Sequence, residues 1–318
     1  MADADEFEGA GDFARDVRAG LAQAQKVIPA RWLYDRRGSE IFEAITDLAD
    51  YYPTRTEVAI LVDFAGDVAD AVGPGRAVIE FGSGSSTKTP LLLRAVAPAA
   101  YVPVDISGAF LRASAGALAA DFPGLAVHPV EGDFTRRFAL PALGAPWLGF
   151  FPGSTIGNLT PAAAVDLLRG WGGLLGAGSW LLIGFDLAKD SGVLEAAYDD
   201  SEGVTAAFNL NLLARINREL AGTVRLSDFR HLALWNAAAS RVEMHLEALR
   251  DTAFEAAGQR FSMRAGETIH TENSHKWTLD AVRLMGRAAG WTPVTSREDA
   301  QGWFSLQLWR RDAGGMQP

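Results

Sequence analysis

Cysteine is absent from all 318 residues, which excludes disulfides, thiolate zinc sites and cysteine nucleophiles together. Long apolar runs are missing too. The longest, such as Trp180–Phe185, suit buried strands and fall far short of a membrane span. Basic clusters do not rise above pairs (Arg36–Arg37, Arg136–Arg137, Arg310–Arg311), which read as solvated surface. With a net charge of −10, neither nucleic-acid phosphate nor an anionic membrane is expected as a partner. The segment Met1–Asp16 is acidic and Gly/Ala-rich, without the cationic-then-apolar order of a signal peptide, so the cytoplasm is the expected location. No G-x-S-x-G elbow supports a serine hydrolase. The sequence leads us to expect a monomer acting on a small molecule.

What is present is an ordinary globular composition, 48% hydrophobic and 21% charged, enough for one large domain or two modest ones. The first fifteen residues are expected to be loose. Residues 29–50 read as helical, with Ser39 as a candidate cap and Ile41, Phe42, Ile45 and Leu48 at helical spacing. Pro53 reads as a break, followed by a helix from Thr56 to Val72 that stops at Gly73-Pro74-Gly75. Strands at 77–81, 101–104, 126–130, 148–151 and 180–185 alternate with helices at 87–96, 107–121 and 161–175. That alternation specifies an α/β fold with a mainly parallel, doubly wound sheet. A helix over 202–220 and antiparallel strands at 230–236, 240–250 and 266–276 form an α+β insertion, before a helix at 278–289 and a last strand at 304–310. In the middle strand of the insertion Val242, Met244 and Leu246 share one face.

The sharpest local feature is Glu80-Phe81-Gly82-Ser83-Gly84-Ser85-Ser86-Thr87-Lys88, between a strand and a helix. Its glycines admit close backbone approach, and the helix start offers unpaired N–H groups. Asp105 closes the next strand, 23 residues after Gly82, where a carboxylate can accept both ribose hydroxyls. Asp133 follows the third strand and could accept from an adenine amino group, with Phe134 stacking. Each aspartate alone fits an ordinary cap or turn as well. Three such features at the carboxyl ends of three strands favour a nucleotide. The dinucleotide fingerprint needs a third glycine where Thr87 stands, and Glu80 suits a sulfonium better than a diphosphate, so S-adenosylmethionine is favoured over NAD.

Several longer motifs resemble one family. They are Leu33-Tyr34-Asp35-Arg36-Arg37-Gly38-Ser39-Glu40, Tyr51-Tyr52-Pro53-Thr54-Arg55-Thr56-Glu57, the Glu80–Lys88 loop, Phe151-Pro152-Gly153-Ser154-Thr155-Ile156-Gly157-Asn158, Ala197-Tyr198-Asp199-Asp200 and Thr271-Glu272-Asn273-Ser274. From residue 28 onward the chain is similar to the histidine Nα-methyltransferases of ergothioneine biosynthesis. The resemblance implies a class I (Rossmann-like) methyltransferase core at 58–187 and 277–318, with a smaller α+β substrate domain from 1–57 and 188–276. It implies three successive transfers from S-adenosylmethionine, giving hercynine and S-adenosylhomocysteine. It places Asn158 and Tyr198 on the substrate carboxylate, and Tyr34, Phe42, Tyr51 and Gly153 to Thr155 around the α-amine. Glu272 and Ser274 would read the imidazole, with Met244 packing the pocket; Gly82, Ser83, Gly84, Lys88, Asp105, Asp133 and Phe134 would hold the donor. The same resemblance admits another, aromatic, amino acid as substrate. An NAD-dependent oxidoreductase or a non-catalytic S-adenosylmethionine-binding module stands further off.

The chemistry of these residue types is consistent with those roles without requiring them. Glu272 and Ser274, two apart on a strand, share a face and can satisfy both imidazole nitrogens, but the same spacing fits a solvated strand face. Asn158 fits a loop turn and Met244 a plain core position equally well. Tyr34, Tyr51, Tyr52 and Tyr198 are four of the five tyrosines; their π faces can stabilise a methylated ammonium, or simply fill core. His270 and His275 flank Glu272, but odd spacing sets them on opposite strand faces, so no metal is expected. The acceptor of the amine proton is not assigned by the sequence.

Overall fold

The computed structural model describes residues 4–84, 88–136 and 138–312. Its helices are α1 (Ala4–Leu21), α2 (Arg36–Thr46), α3 (Tyr52–Val72), α4 (Thr89–Val96), α5 (Gly108–Asp121), α6 (Pro161–Leu175), α7 (Ser191–Tyr198), α8 (Val204–Glu219) and α9 (Leu279–Ala288). Its first strands are β1 (Lys26–Val27), β2 (Ala77–Phe81), β3 (Ala100–Asp105), β4 (Ala126–Val127), β5 (Val130–Glu131), β6 (Trp147–Phe151) and β7 (Trp180–Asp186). There follow β8 (Phe229–Asn236), β9 (Arg241–Ala248), β10 (Thr252–Ala256), β11 (Gln259–Met263), β12 (Thr268–His275), β13 (Thr292–Glu298) and β14 (Phe304–Arg310). Ser85 to Thr87, in the glycine loop, and Arg137 lie outside the described residues. Among the described residues no helix is long and apolar enough to cross a membrane.

The chain divides into two compact units, 1–51 with 190–274, and 52–189 with 275–318. In the second, an eight-stranded sheet runs β13-β14-β7-β6-β2-β3-β4, with β5 also on β3. Strands β2, β3, β4, β5, β6 and β7 are parallel, and β14 and β13 are antiparallel. Alternate residues bury both faces. Ile79, Phe81, Val102, Phe151 and Ile183 pack with Leu168 and Trp171 of α6 and Met285 of α9. Val78, Tyr101, Leu148, Phe150 and Leu182 pack with Ile60, Phe64 and Val68 of α3 and Leu92 of α4. Double burial explains why these strands read as continuous apolar runs. β3 and β6 flank β2 on opposite sides, so the strand order reverses at β2, the edge at which open parallel sheets bind ligands.

The first unit holds a four-stranded sheet, β1-β12-β9-β8, and the separate hairpin β10-β11. Several sequence expectations are corrected here. From Ala4 the N-terminal segment is helical rather than loose: α1 buries Phe13, Val17 and Leu21, an i, i+4 stripe hidden in an acidic, Ala-rich composition, while Met1 to Asp3 lie outside the described residues. Residues 29–50 are not one helix; a short 3-10 turn at Ala30–Leu33 precedes α2, which Asp35 caps through Gly38 N–H at 2.7 Å, not Ser39. Pro53 does not break the chain. It sits in the first turn of α3, where no amide partner is lost. The sequence reading passed over β10-β11, joined by Ala257 and Gly258 at positive φ, and over the edge strand β13.

Candidate active site

In the second unit the donor positions line the carboxyl edge of the sheet. Gly82 and Gly84 follow β2 with φ of 71° and 51°. A Cβ on Gly82 would meet the Phe134 ring at 3.2 Å, so glycine there lets Phe134 close over the strand end. Asp105 ends β3; its Oδ2 accepts from Gly84 N–H at 3.0 Å and its Oδ1 from Ser107 N–H at 2.9 Å. Burial raises its pKa, opposed by those amide donors. Asp133 accepts from Thr135 N–H at 2.9 Å and from its hydroxyl at 2.5 Å, a turn arrangement beside β5. Ser83 is buried.

Glu80 does not face the loop as a bare charge. It accepts from Thr89 Oγ1 at 2.6 Å and from the Tyr101 hydroxyl at 2.5 Å, tying β2 to α4 and β3. Burial pushes its pKa up to about 7 against those two hydrogen bonds. These bonds fix its Oε2 within the strand–helix junction.

The Pro152–Asn158 loop after β6 is fixed by two acidic residues that the sequence reading missed. Glu57, fully buried on α3, accepts from Gly153 N–H at 2.8 Å and pairs with Lys88. Its other oxygen, Oε1, has no partner among the described residues. Asp186, at the end of β7, donates its backbone N–H to Ser154 Oγ at 2.9 Å, and Ser154 holds the left-handed φ of 55°. Thr155 and Asn158 bound the 3-10 turn that follows, and His275 Nδ1 lies 2.9 Å from Gly157 O. The Asp186 carboxylate meets Lys276 Nζ at 2.6 Å, the Tyr52 hydroxyl at 2.7 and 2.8 Å, and Lys189. A charged residue on the buried stripe Glu57, Ile60, Leu61, Phe64 was the one available signal for Glu57.

In the first unit five aromatic rings gather. Tyr34 lies edge-on to Phe42 (5.6 Å between centroids) and Phe208 (5.4 Å), Phe42 to Tyr51 (6.3 Å), and Tyr51 to Tyr198 (6.1 Å). Phe208, on α8, was not among the expected contacts. The Tyr34 hydroxyl donates to Glu272 Oε1 at 3.3 Å, and the Tyr198 hydroxyl and Ser274 Oγ are 2.7 Å apart. Burial on β12 alternates through Ile269 and Thr271, and Glu272 and Ser274 are buried as well. Glu272 and Ser274 thus point inward, not to a solvated face. Burial, then the neighbouring Glu272 charge, raises the Tyr34 pKa well above that of an ordinary phenol. Met244 is buried on β9, on the face it shares with Val242 and Leu246.

Residues 13–311 match the family model described as histidine-specific methyltransferase, SAM-dependent. Over 301 residues the chain is 41% identical to a histidine N-alpha-methyltransferase of Mycolicibacterium smegmatis, covering 92% of this chain and 93% of that protein. Over 309 residues it is 40% identical to the Mycobacterium tuberculosis protein of the same description, covering 95% and 96%. It is 28% identical over 286 residues to ergothioneine biosynthesis protein 1 of Neurospora crassa, covering 84% of this chain and 31% of that protein.

Proposed function

The chain belongs to the histidine-specific, S-adenosylmethionine-dependent methyltransferases, and from that premise we propose which of its residues hold the donor and which the amino acid. The enzyme methylates the α-amine of histidine three times, giving hercynine, the first step of ergothioneine biosynthesis. On our reading it does so as a monomer in the cytoplasm; sedimentation velocity tests the first point.

The residues at the carboxyl edge of the large sheet fit S-adenosylmethionine. Asp105 is a half-buried carboxylate that accepts from the backbone N–H groups of Gly84 and Ser107, and ribose hydroxyls would complete its acceptor set. Gly82, Ser83 and Gly84 offer backbone without side-chain bulk, Phe134 a ring face, Asp133 an acceptor and Lys88 a cation for the donor's carboxylate. When bound, S-adenosylmethionine supplies a methyl carbon already activated by its sulfonium. Asp105→Ala is expected to weaken its binding by about 1.5–3 kcal/mol, the range for hydrogen bonds to a charged group. Isothermal titration measures this, and unchanged affinity in a folded variant would remove Asp105 from the donor site.

For the amino acid, Glu272 and Ser274 read the imidazole, with Met244 packing beside them. By the family motifs they match, Asn158 and Tyr198 are assigned to the carboxylate, and Tyr34, Phe42, Tyr51 and Gly153 to Thr155 to the amine. The observation that carries this reading is the inward turn of Glu272 and Ser274 onto two tyrosine hydroxyls. The chain's own task is to align a neutral amine and exclude water. Tyr34 donates its hydroxyl to Glu272 and so orients that carboxylate. The aromatic cluster offers π faces to the growing ammonium.

Glu272→Ala is the discriminating variant. It should cost about 1.5–3 kcal/mol of histidine affinity and relax the rejection of tryptophan and phenylalanine, since an unpaired buried carboxylate is what penalises them. Competition assays read both effects. Equal discrimination before and after the change would remove Glu272 from the pocket. Preference of the unaltered enzyme for tryptophan would instead favour an aromatic amino acid as substrate.

A further inference from the structure

The face of β9 opposite Met244 carries a cluster that histidine methylation does not use. Glu243 and His245, two apart, share that face. The His245 ring stacks on that of His270 from β12, with centroids 4.7 Å apart and planes at 19°. The sequence sets His270 and His275 on opposite strand faces with no metal expected; the fold groups His270 with Glu243 and His245. One ligand atom from each of the three lies within 4.8 Å of the others. Glu243 and His245 are buried and His270 is half-buried.

We propose that Glu243, His245 and His270 form a binding site for a borderline divalent transition-metal cation of the zinc class. Two imidazoles and one carboxylate, with no thiolate, suit Zn²⁺, Co²⁺ or Ni²⁺, and water completes the coordination. Bonds of about 2.0–2.1 Å to imidazole bring ligand atoms to about 3.4 Å from one another in a tetrahedron, so to close on an ion the three side chains must draw together and the two stacked rings turn out of parallel.

The outer contacts are those of an oriented site. Glu243 Oε1 accepts from Arg241 (Nη2 at 2.6 Å, Nε at 2.8 Å) and from Asn236 Nδ2 at 2.8 Å. Its Oε2 faces His245 Nε2 at 3.1 Å, so that oxygen is the one turned toward the imidazoles. His270 Nε2 donates to Glu272 O at 3.0 Å, which leaves Nδ1 with its lone pair. An imidazole N–H on a backbone carbonyl is the usual partner of a ligating histidine. His245 Nδ1 is buried with no partner among the described residues. A cation bound by Glu243 Oε2, His245 Nε2 and His270 Nδ1 would replace the Glu243–His245 hydrogen bond and cross-link β9 to β12.

The test titrates the chelator-treated full-length protein with Co²⁺, followed by visible absorption, and with Zn²⁺, followed by calorimetry. One equivalent of each should bind, with Co²⁺ absorption of a low-symmetry, nitrogen- and oxygen-ligated site. Glu243→Gln, close in shape, and His270→Ala, at the half-buried position, should each weaken binding at least about tenfold. Circular dichroism checks that both variants fold, and His128→Gln, in the other unit, should bind as the unaltered protein does. Absence of binding at millimolar cation overturns the proposal. So does binding that survives both Glu243→Gln and His270→Ala.

Discussion

Asp186→Ala is expected to destabilise the protein by about 3–5 kcal/mol, the cost of breaking a buried ion pair from one side. Asp186 is 1% exposed and stands between two ammonium groups, one of them Lys276, whose side chain is fully buried. Removing the carboxylate leaves both lysines and the Tyr52 hydroxyl without their shared acceptor. Asp186→Asn, which keeps the shape and one oxygen, should fall between. Urea denaturation gives the numbers; a loss below about 1 kcal/mol would mean that the lysines find other acceptors or shed their protons. A pH signature accompanies this cluster. Burial lowers the Lys189 pKa to about 8, against the pull of Asp186. Between about pH 8 and the ordinary lysine value the unfolded chain then binds more protons than the folded one. The contribution of Lys189 to stability therefore rises with pH across that window.

Histamine and histidinamide should be poor substrates. Histamine lacks the α-carboxylate that we assign to Asn158 and Tyr198, and histidinamide replaces its charge with an amide. Each binding group left unpaired costs roughly 1–3 kcal/mol, so two of them predict rates lower by about 30-fold to more than 10⁴-fold. The loss should appear in turnover as well as affinity, because the same contacts aim the amine. Mono- and dimethylhistidine keep the carboxylate and should converge on the trimethylated product. Mass spectrometry of each reaction decides it, and efficient methylation of histamine would release Asn158 and Tyr198 from that role.

Much of this architecture is legible in the chain because burial on both sheet faces writes itself as short apolar runs. Ala77–Phe81, Tyr101–Val104, Leu148–Phe151 and Trp180–Phe185 fall on four parallel strands, and the glycine loop and Asp105 fall at their carboxyl ends. Where the signal is local, as in a positive-φ glycine, it can be read residue by residue. It fails where partners lie far apart. Glu57 meets Gly153 across 96 positions and Lys276 meets Asp186 across 90, and no periodicity encodes either. β12 is equally silent: its sequence does not show that adjacent Thr271 and Glu272 are both buried. β13 is an edge strand with mostly exposed residues, so it lacks the apolar run that marked its neighbours.

The pairing of β1 with β12 has a consequence for synthesis. Lys26 and Val27 lie beside Ile269 and His270, so the partner strand emerges 243 residues after its mate (269 − 26). At about 5–20 residues per second, that is a wait on the order of 12–50 s on the ribosome. During it, β1 has no edge to join, and the unit that holds α1 remains incomplete. The unit formed by 52–189 and 275–318 is interrupted as well, but its parallel strands β2 to β7 are all made before residue 190. Nascent chains long enough to expose β7 but not β12 should therefore be cut by protease within their first fifty residues while the β2–β7 region resists. Protection of the amino-terminal segment should arrive only with chains long enough to expose β12.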